Sequence, residues 1–317
     1  MSTLHPQTQA LVDAMADMNL VPPDALDVGQ AREQFKRSRT PFIAASQAVG
    51  AVIDATIPGP AGTLLRIRAY RPLDSGRDEL LPAMVYFHGG GWVFGDLDSH
   101  DPLCRELCNA ARCAVVAVDY RLAPEHRFPA AVEDAVCAVR QVAQRAPDLG
   151  VDADRLAAGG DSAGANLTTV AALILREEGG PQLKLQVLIY PVTDFSMQAP
   201  SYARIANGYT LSKERMHYFR NCYLRGPQDI SDWRASPLNA EDLSRLPPAL
   251  LIAAGHDPLV DEGKAYADRL SSAGVAVSYT CYEGMVHGFV SMAGAIDAGH
   301  AAIAEAAAAL RQAFFIA

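Results

Sequence analysis

The pentapeptide Gly-Asp-Ser-Ala-Gly at residues 160–164 constrains the fold more than any other part of this chain. An apolar stretch that begins at Arg155 predicts a strand before it, and residues 167–178, which lack glycine and proline, predict a helix after it. A chain that passes so quickly from strand to helix must bend sharply, and the two flanking glycines remove side chains that would clash in the bend. We therefore predict that Ser162 occupies a tight turn with its hydroxyl directed away from a sheet.

A serine placed in this way could attack an acyl carbon, but its hydroxyl is a weak nucleophile until a neighbouring base takes the proton. Catalysis would also need an acid that orients the base and N–H donors that stabilise an oxyanion. The remaining question is whether the chain supplies these groups in a consistent order.

The composition indicates a large α/β chain and argues against several classes of function. The chain has 317 residues, half of them apolar, and a formal net charge of −9. Because no basic run could follow a phosphate backbone, we expect no nucleic-acid partner. No apolar run is long enough to cross a bilayer, and the N-terminus lacks the basic and apolar regions of a signal peptide. We therefore expect a cytoplasmic protein without stable membrane insertion.

Six scattered cysteines are expected to be free and mostly buried thiols, because a cytosolic chain of this size neither needs nor easily keeps disulfides. Two of them could share a helix face, but no second cysteine or histidine pair completes a zinc site, so no metal is expected. The cysteines are Cys104, Cys108, Cys113, Cys137, Cys222 and Cys281.

Strand and helix patterns alternate from about residue 50 onward. This alternation predicts an α/β fold with a mostly parallel central sheet and helices on both faces. The first two strands are joined by a short turn and should be antiparallel. The predicted strands cover residues 52–57, 64–71, 82–87, 113–118, 155–158, 186–190, 249–254 and 275–282. The predicted helices cover residues 101–111, 129–145, 167–178, 261–273 and 299–315.

Two regions fall outside this alternation. Residues 1–45 predict two helices separated by a proline pair, and we interpret them as an accessory layer on the main domain. Residues 195–228 are rich in tyrosine and have no strand neighbours, so we predict a helical insertion. The main domain then consists of residues 46–194 and 229–317.

A run of three glycines follows the strand predicted at residues 82–87, within the segment His-Gly-Gly-Gly-Trp at residues 88–92. Such a loop can turn its backbone N–H groups toward a cavity, and the N–H after the nucleophile can join them. The predicted oxyanion donors are Gly90, Gly91 and Ala163. A phosphate-binding loop is the alternative, but no lysine follows the glycines as that motif requires.

The base is sought among eight histidines, of which His287 lies just beyond the last predicted strand. Glycines on either side of it, Gly284 and Gly288, allow the loop to present the ring. His300 is expected on the surface of the terminal helix. His256 directly precedes Asp257, the acid favoured below, and its ring would point in a different direction from that of His287. The remaining histidines are His5, His88, His100, His126 and His217.

The acid that we favour is Asp257, which follows the strand predicted at residues 249–254. From there it could accept a hydrogen bond from Nδ1 of His287 and set the tautomer in which Nε2 takes the serine proton. Asp194, which follows the preceding strand, is the first rival. Asp261 is the second, although a role as helix N-cap or loop support suits it better.

With these motifs in the order serine, acid and histidine, the chain resembles the bacterial hormone-sensitive-lipase-like branch of the α/β-hydrolase esterases. Besides the segments above, the resemblance rests on residues 119–130, which read Asp-Tyr-Arg-Leu-Ala-Pro-Glu-His-Arg-Phe-Pro-Ala. It implies hydrolysis of short- to medium-chain carboxylic esters without a cofactor, through Ser162, Asp257 and His287. It also implies that residues 1–45 and 195–228 form a cap, that residues 121–129 support a loop beneath the site, and that a homodimer can form.

Aromatic and aliphatic residues near these motifs are candidates for the acyl and alcohol pockets. For any one of them, ordinary packing in the core or the cap is an equally good interpretation. The candidates are Trp92, Phe94, Phe195, Tyr209, Leu211, Phe219, Val286 and Phe289.

Two alternative functions share the same motifs. A ligand-binding receptor on this fold is one, since the plant gibberellin receptors resemble this family but have lost the catalytic histidine, which His287 would supply here. An acyltransferase that forms the same acyl-enzyme but excludes water is the other. A true lipase is disfavoured because the region available for a cap is short.

Overall fold

The computed structural model describes residues 3–76, 79–205 and 208–315. Within these ranges eight strands form one sheet in the order β1-β2-β4-β3-β5-β6-β7-β8. The pairs β1–β2 and β2–β4 are antiparallel, and all other neighbours are parallel. The sequence predicts the antiparallel β1–β2 pair and the mostly parallel sheet, but not the antiparallel pairing of β2 with β4. The strands are β1 (Ala51–Pro58), β2 (Leu64–Arg71), β3 (Leu81–Phe87), β4 (Ala114–Asp119), β5 (Val151–Asp161), β6 (Leu183–Ile189), β7 (Ala249–His256) and β8 (Val277–Val286).

Helices cover both faces of this sheet. They explain why β3 is buried along its whole length and why its sequence is a continuous apolar run. The helices are α1 (Pro6–Asp17), α2 (Val28–Arg39), α3 (Asp101–Ala111), α4 (Ala130–Gln144), α5 (Ala146–Leu149), α6 (Ala163–Glu177), α7 (Pro200–Arg204), α8 (Lys213–Tyr223), α9 (Val260–Ser272) and α10 (Asp297–Phe315).

The main differences from the predicted elements lie in β5, α6 and β8. β5 continues through Gly159 and Gly160, which pair with Tyr86 and Phe87 of β3, although glycine does not favour strands. α6 begins at Ala163, four residues earlier than predicted, because the turn occupies Ser162 alone. β8 continues to residue 286 because it stays paired with β7 to the end. In each case the ladder or the turn, rather than local propensity, sets the boundary.

The helices outside the alternation pack on different parts of the molecule. In α1 the buried Leu11 belongs to the same apolar cluster as Phe289 and Ile303 near the C-terminal end. α2 begins with a capping box formed by Asp27 and Gln30. α2 and α8 share an apolar cluster with the glycine loop and α6. The division into a domain of residues 46–194 and 229–317 and a cap of residues 1–45 and 195–228 stays a prediction, and residues 206–207 of the insertion lie outside the described residues.

Two further observations concern the described ranges only. No helix there combines the length and the apolar character needed to span a bilayer. All six cysteines are free, and Cys104, Cys108 and Cys113 are buried.

A buried ion pair holds the loop after β4. The carboxylate of Asp134, fully buried in α4, accepts hydrogen bonds from the backbone N–H of Arg121 at 2.8 Å and from its Nη2 at 2.7 Å. Two residues further along, Ala123 donates its N–H to the carbonyl of Trp92 at 2.8 Å. The loop is therefore fixed to Asp134, and its hydrogen bond to Trp92 in turn stabilises the glycine loop.

We expect Asp134→Ala to lower the free energy of unfolding by about 3 kcal/mol, because it leaves the Arg121 guanidinium and N–H without their buried acceptor. Chemical denaturation followed by circular dichroism measures the change. Glu133→Ala is the matched control, since this half-exposed neighbour meets the same guanidinium only at 3.4 Å. Its effect should stay below about 0.5 kcal/mol, and equal losses in the two variants would contradict the prediction.

Candidate active site

Ser162 lies on a strained turn between β5 and α6. Its φ of 55° and ψ of −116° fall outside the regions that a non-glycine residue ordinarily occupies. A residue held in such a conformation costs about 1–3 kcal/mol, which the surrounding packing must offset. The backbone N–H of Ser162 is held by the carbonyl of Ile189 at 2.8 Å.

The glycines on either side of Ser162 are required by the close approach of β3. A Cβ atom on Gly164 would lie 1.8 Å from the carbonyl oxygen of Phe87, and one on Gly160 would lie 2.3 Å from the same oxygen. Both distances are far inside van der Waals contact. The turn can therefore press against the end of β3 only if both positions lack side chains.

Ser162, His287 and Asp257 form a continuous hydrogen-bonded chain. Nε2 of His287 lies 2.9 Å from Oγ of Ser162, and Nδ1 lies 2.6 Å from Oδ2 of Asp257. Asp257 is fully buried, and its Oδ1 accepts the N–H of Leu259 at 2.9 Å. Thr210 donates its hydroxyl to the carbonyl of His287 at 2.6 Å and holds the loop. Since Asp257 can only accept, Nδ1 carries the proton and Nε2 is free to accept from the serine hydroxyl.

The two rival acids have other partners. Asp194 accepts hydrogen bonds from the N–H and the hydroxyl of Ser196, and so closes a local turn. Asp261 forms a two-point ion pair with Arg204. Neither carboxylate bonds to His287. The geometry thus brings together the acid and the base that the sequence favoured.

Of the other two histidines considered for the base, neither reaches Ser162. His300 pairs with Glu106 at 2.7 Å on the surface. The ring of His256 lies against that of Tyr209, with centroids 5.7 Å apart.

The glycine loop turns sharply after β3, with φ values of 120° at Gly90 and 62° at Gly91. Both residues line the same cavity as Ser162. Ala163 is the first residue of α6, where the backbone N–H has no intrahelical acceptor. Because of these positions, the three N–H groups remain the predicted oxyanion donors.

Asp161, the residue before the serine, anchors this loop. Its Oδ1 accepts the N–H of Gly89 and the hydroxyl of Tyr86, each at 2.8 Å, and lies 3.2 Å from Nε2 of His100. Burial alone would raise the pKa of Asp161, but the charge of His100 and these hydrogen bonds outweigh it and lower the pKa to about 2. Sequence reasoning missed this role. The only signal was an acid at a position that must be buried, and nothing in the sequence pointed to His100.

His88 secures the other side of the loop. Its Nδ1 lies 2.8 Å from the carbonyl of Gly89, and its own carbonyl accepts the hydroxyl of Tyr120 at 2.7 Å. The rings of His88 and Tyr120 stack with centroids 4.4 Å apart. Burial, together with the charge of His100, lowers the pKa of His88 to about 4, so the ring is neutral at pH 7.

The cavity at Ser162 has a volume of about 60 Å³. Three of the eight predicted pocket residues line it, namely Trp92, Leu211 and Phe219. Helix α2 and the region around α8 contribute residues that sequence reasoning did not single out. These additional lining residues are Phe35, Arg39, Thr210, Arg215 and Met216.

The other five predicted pocket residues lie outside the lining. Phe195 packs behind Trp92 with centroids 5.1 Å apart, and Phe94 packs against Phe219 at 5.5 Å. Phe289 and Val286, which flank His287 in the sequence, are fully buried. Tyr209 is 46% exposed, and its ring lies against that of His256. Proximity in sequence to a motif does not tell which side of the loop a side chain occupies.

Residues 3–76, 79–205 and 208–315 contain no group of three or more histidine, cysteine or acidic side chains able to hold a metal ion.

Comparisons with known proteins show the family to which the chain belongs. A family profile described as "alpha/beta hydrolase fold" matches residues 84–291. The chain belongs to the α/β-hydrolase family, in its branch of hormone-sensitive-lipase-like carboxylic ester hydrolases. The fold and the enzyme class predicted from the sequence are thereby confirmed.

Similar proteins include a carboxylic ester hydrolase, LipN, of Mycobacterium tuberculosis, with 47% identity over 76% of this chain and 65% of that protein. An ethyl acetate hydrolase of Pseudomonas putida is 40% identical over 92% of each chain. Among solved structures, a hyperthermophilic esterase from Pyrobaculum calidifontis superposes with a TM-score of 0.93 and 42% identity, covering 98% of this chain and 99% of that one. These esterase homologues act on small-molecule ester substrates.

The neutral state of His88 predicts a pH dependence of stability. An unfolded histidine has a pKa of about 6.5, so between pH 6.5 and 4 the unfolded chain binds more protons than the folded one. Stability is therefore lost as the pH falls through this window. We expect the free energy of unfolding to fall by about 2 kcal/mol more between pH 7 and pH 5 in the wild type than in His88→Gln.

Denaturant unfolding at the two pH values measures this difference. His126→Gln, which changes an exposed histidine, serves as the control and should keep the wild-type pH dependence. An unchanged pH dependence in His88→Gln would show that the ring has the same pKa in the folded and the unfolded protein.

Proposed function

We propose that the protein hydrolyses short- to medium-chain carboxylic esters through a serine acyl-enzyme, with Ser162 as nucleophile, His287 as base and Asp257 as orienting acid. One observation carries the proposal: the hydrogen-bonded chain from the Ser162 hydroxyl through both nitrogens of His287 to the buried Asp257, with distances of 2.9 and 2.6 Å. These distances are within the range required for proton transfer. The small cavity favours the short end of the range of acyl chains.

In the first half-reaction, Oγ of Ser162 forms a bond to the carbonyl carbon while its proton passes to Nε2 of His287. The N–H groups of Gly90, Gly91 and Ala163 would receive the oxyanion, and each such donor contributes about 3–4 kcal/mol of transition-state stabilisation. The intermediate then collapses. The C–O bond of the ester breaks, and His287 returns its proton to the leaving alcohol.

In the second half-reaction, His287 takes a proton from water, and the hydroxide attacks the acyl-enzyme. Collapse of this intermediate releases the carboxylic acid and returns the proton to Ser162. The carboxylate of Asp257 stabilises the imidazolium that forms in each half.

The cytoplasmic location and the homodimer that were expected from the sequence stay predictions. The same holds for the cap, although Phe35 of the N-terminal segment and Phe219 of the insertion both line the cavity. Their contribution supports a cap that shapes the acyl pocket.

Among the alternatives, a receptor function is disfavoured by the hydrogen bond between His287 and Ser162. Transfer to an added alcohol, measured against release of free acid, distinguishes a transferase.

We expect Ser162→Ala to lower kcat for p-nitrophenyl butyrate at least 10⁴-fold, because it removes the nucleophile. The melting temperature should stay near that of the wild type or rise, since alanine removes no buried hydrogen bond apart from that to His287. An organophosphate should label the wild type once per chain and should not label the variant. A correctly folded variant that hydrolyses the ester at the wild-type rate would contradict the mechanism. Absence of labelling in the wild type would favour a binding protein.

Asp257→Asn tests the choice of acid. An asparagine can donate to Nδ1 and so stabilises the wrong tautomer of His287, which should lower kcat about 10³- to 10⁴-fold. Asp194→Asn is the matched control, because it makes the same change in the rival carboxylate and should leave kcat within about threefold. Steady-state kinetics with p-nitrophenyl butyrate measures both, and the reverse pattern would assign the acid to Asp194.

A further inference from the structure

The wall of the Ser162 cavity contains two arginines, Arg39 at the end of α2 and Arg215 in α8. Both side chains are half-buried. Among the described residues neither arginine has a carboxylate within ion-pair distance, unlike Arg32 and Arg121, which bind Glu125 and Asp134 at 2.7 Å. The mechanism proposed above uses neither of them.

Arg39 lies directly against the loop that contains His287. A Cβ atom placed on Gly288 would be 3.3 Å from Nη1 of Arg39, so the guanidinium lies beside the residue that follows the base. The same nitrogen lies 2.7 Å from the sulfur of Met292, a weak acceptor, and the guanidinium lies over the ring of Phe35 at 5.5 Å. The guanidinium therefore has aromatic and thioether contacts but no strong acceptor among them.

Arg215 approaches the same loop from the insertion. Its Nη1 donates a long hydrogen bond of 3.3 Å to the carbonyl of Thr210, whose hydroxyl bonds to His287. Burial, with the neighbouring charge of Arg215, lowers the pKa of Arg39 to about 10. Arg39 thus stays protonated at neutral pH. The cavity therefore contains two like charges that raise each other's free energy.

A purely structural role does not explain this arrangement. Arg71, which is also buried without an acid partner, donates three hydrogen bonds to the carbonyls of Gly150, Gly76 and Glu79 at 2.9–3.0 Å. Within the part of the chain that the structure describes, Arg39 and Arg215 have no comparable set of hydrogen bonds. The acid on the cavity wall, Asp161, is already occupied by Tyr86, Gly89 and His100, as described above. Half-buried guanidinium groups with so few acceptors lower the stability of the fold unless an anion pairs with them.

We propose that Arg39 and Arg215 form a binding subsite for a carboxylate group on the ester, so that the preferred substrates are short esters with a free carboxylate. Guanidinium groups suit this role because they bind a carboxylate through two parallel hydrogen bonds. In a protein with a net charge of −9, a local pair of cations is also what an anionic substrate needs to enter. The carboxylate can belong to the acyl part, as in half-esters of dicarboxylic acids, or to the alcohol part, as in esters of hydroxy acids. This inference rests on the proposed hydrolysis at Ser162.

Two pairs of isosteric esters test the subsite in the wild-type enzyme. Ethyl hydrogen succinate is compared with ethyl 4-methylpentanoate, which replaces a carboxylate on the acyl side by an isopropyl group. 3-Acetoxypropanoate is compared with 3-methylbutyl acetate, which makes the same replacement on the alcohol side. We expect kcat/KM, measured by pH-stat titration, to be higher for the charged ester in at least one pair. That pair also identifies the side of the ester on which the carboxylate lies.

Substitutions then assign the effect to the two arginines. We expect Arg39→Gln and Arg215→Gln each to lower the ratio of kcat/KM for the charged ester to that for its neutral isostere at least tenfold. Arg39→Lys and Arg215→Lys, which keep the charge, should lose less. Arg37→Gln is the matched control, since it removes the same charge from an exposed position of α2 and should leave the ratio within threefold. Because each ratio is taken within one variant, general losses of activity cancel.

A wild-type ratio below one in both pairs would overturn the subsite, and this comparison holds even if no variant folds. Ratios that stay within threefold of the wild type in both glutamine variants would overturn it as well. A separate measurement keeps the subsite distinct from the hydrolysis. Calorimetric titration of Ser162→Ala with ethyl hydrogen succinate and 3-acetoxypropanoate should show binding. The double variant Ser162→Ala/Arg39→Gln should lose this binding. If the wild type hydrolyses neither p-nitrophenyl butyrate nor any of the four esters but this binding is seen, the proposed function fails and the subsite stands.

Discussion

The contact between the end of β3 and the Ser162 turn is the constraint on which the rest of the site depends. The carbonyl of Phe87 approaches so closely that neither Gly160 nor Gly164 could carry a side chain. This packing offsets the strain in the backbone of Ser162. It also brings the glycine loop, which begins at the next residue after β3, beside the nucleophile. A single close approach thus sets the positions of both the serine and the predicted oxyanion donors.

Charge is distributed unequally around this centre. The buried carboxylate of Asp161 accepts from three donors, and these contacts hold the glycine loop in place without any exposed group. Asp257 is likewise completed by His287 and a backbone N–H. The guanidinium groups of Arg39 and Arg215 lack such completion within the described residues. A protein interior tolerates buried charge when it is paired, so the imbalance on the cavity wall indicates what kind of substrate enters.

The outcome of the sequence predictions differs between the catalytic groups and the pocket. Ser162, Asp257 and His287 each follow a strand, and the carboxyl ends of neighbouring parallel strands lie at one edge of a sheet, so their meeting could be expected from topology. The pocket follows no such rule. Phe195 and Trp92 both lie near motifs and their rings are in contact, yet only Trp92 lines the cavity. Which side of a loop faces the ester depends on contacts between segments more than a hundred residues apart.

The sequence by itself determined the order of strands and helices, the glycine-flanked serine, and the set of candidate acids and bases, because these depend on local pattern and on spacing. Only the tertiary structure decided that Asp194 and Asp261 are occupied elsewhere, that Asp161 anchors the glycine loop through His100, and that two arginines share the cavity. Those features depend on pairing between distant segments, where burial makes an unpaired charge costly and packing leaves one arrangement available. Sequence patterns carry no information about such pairs.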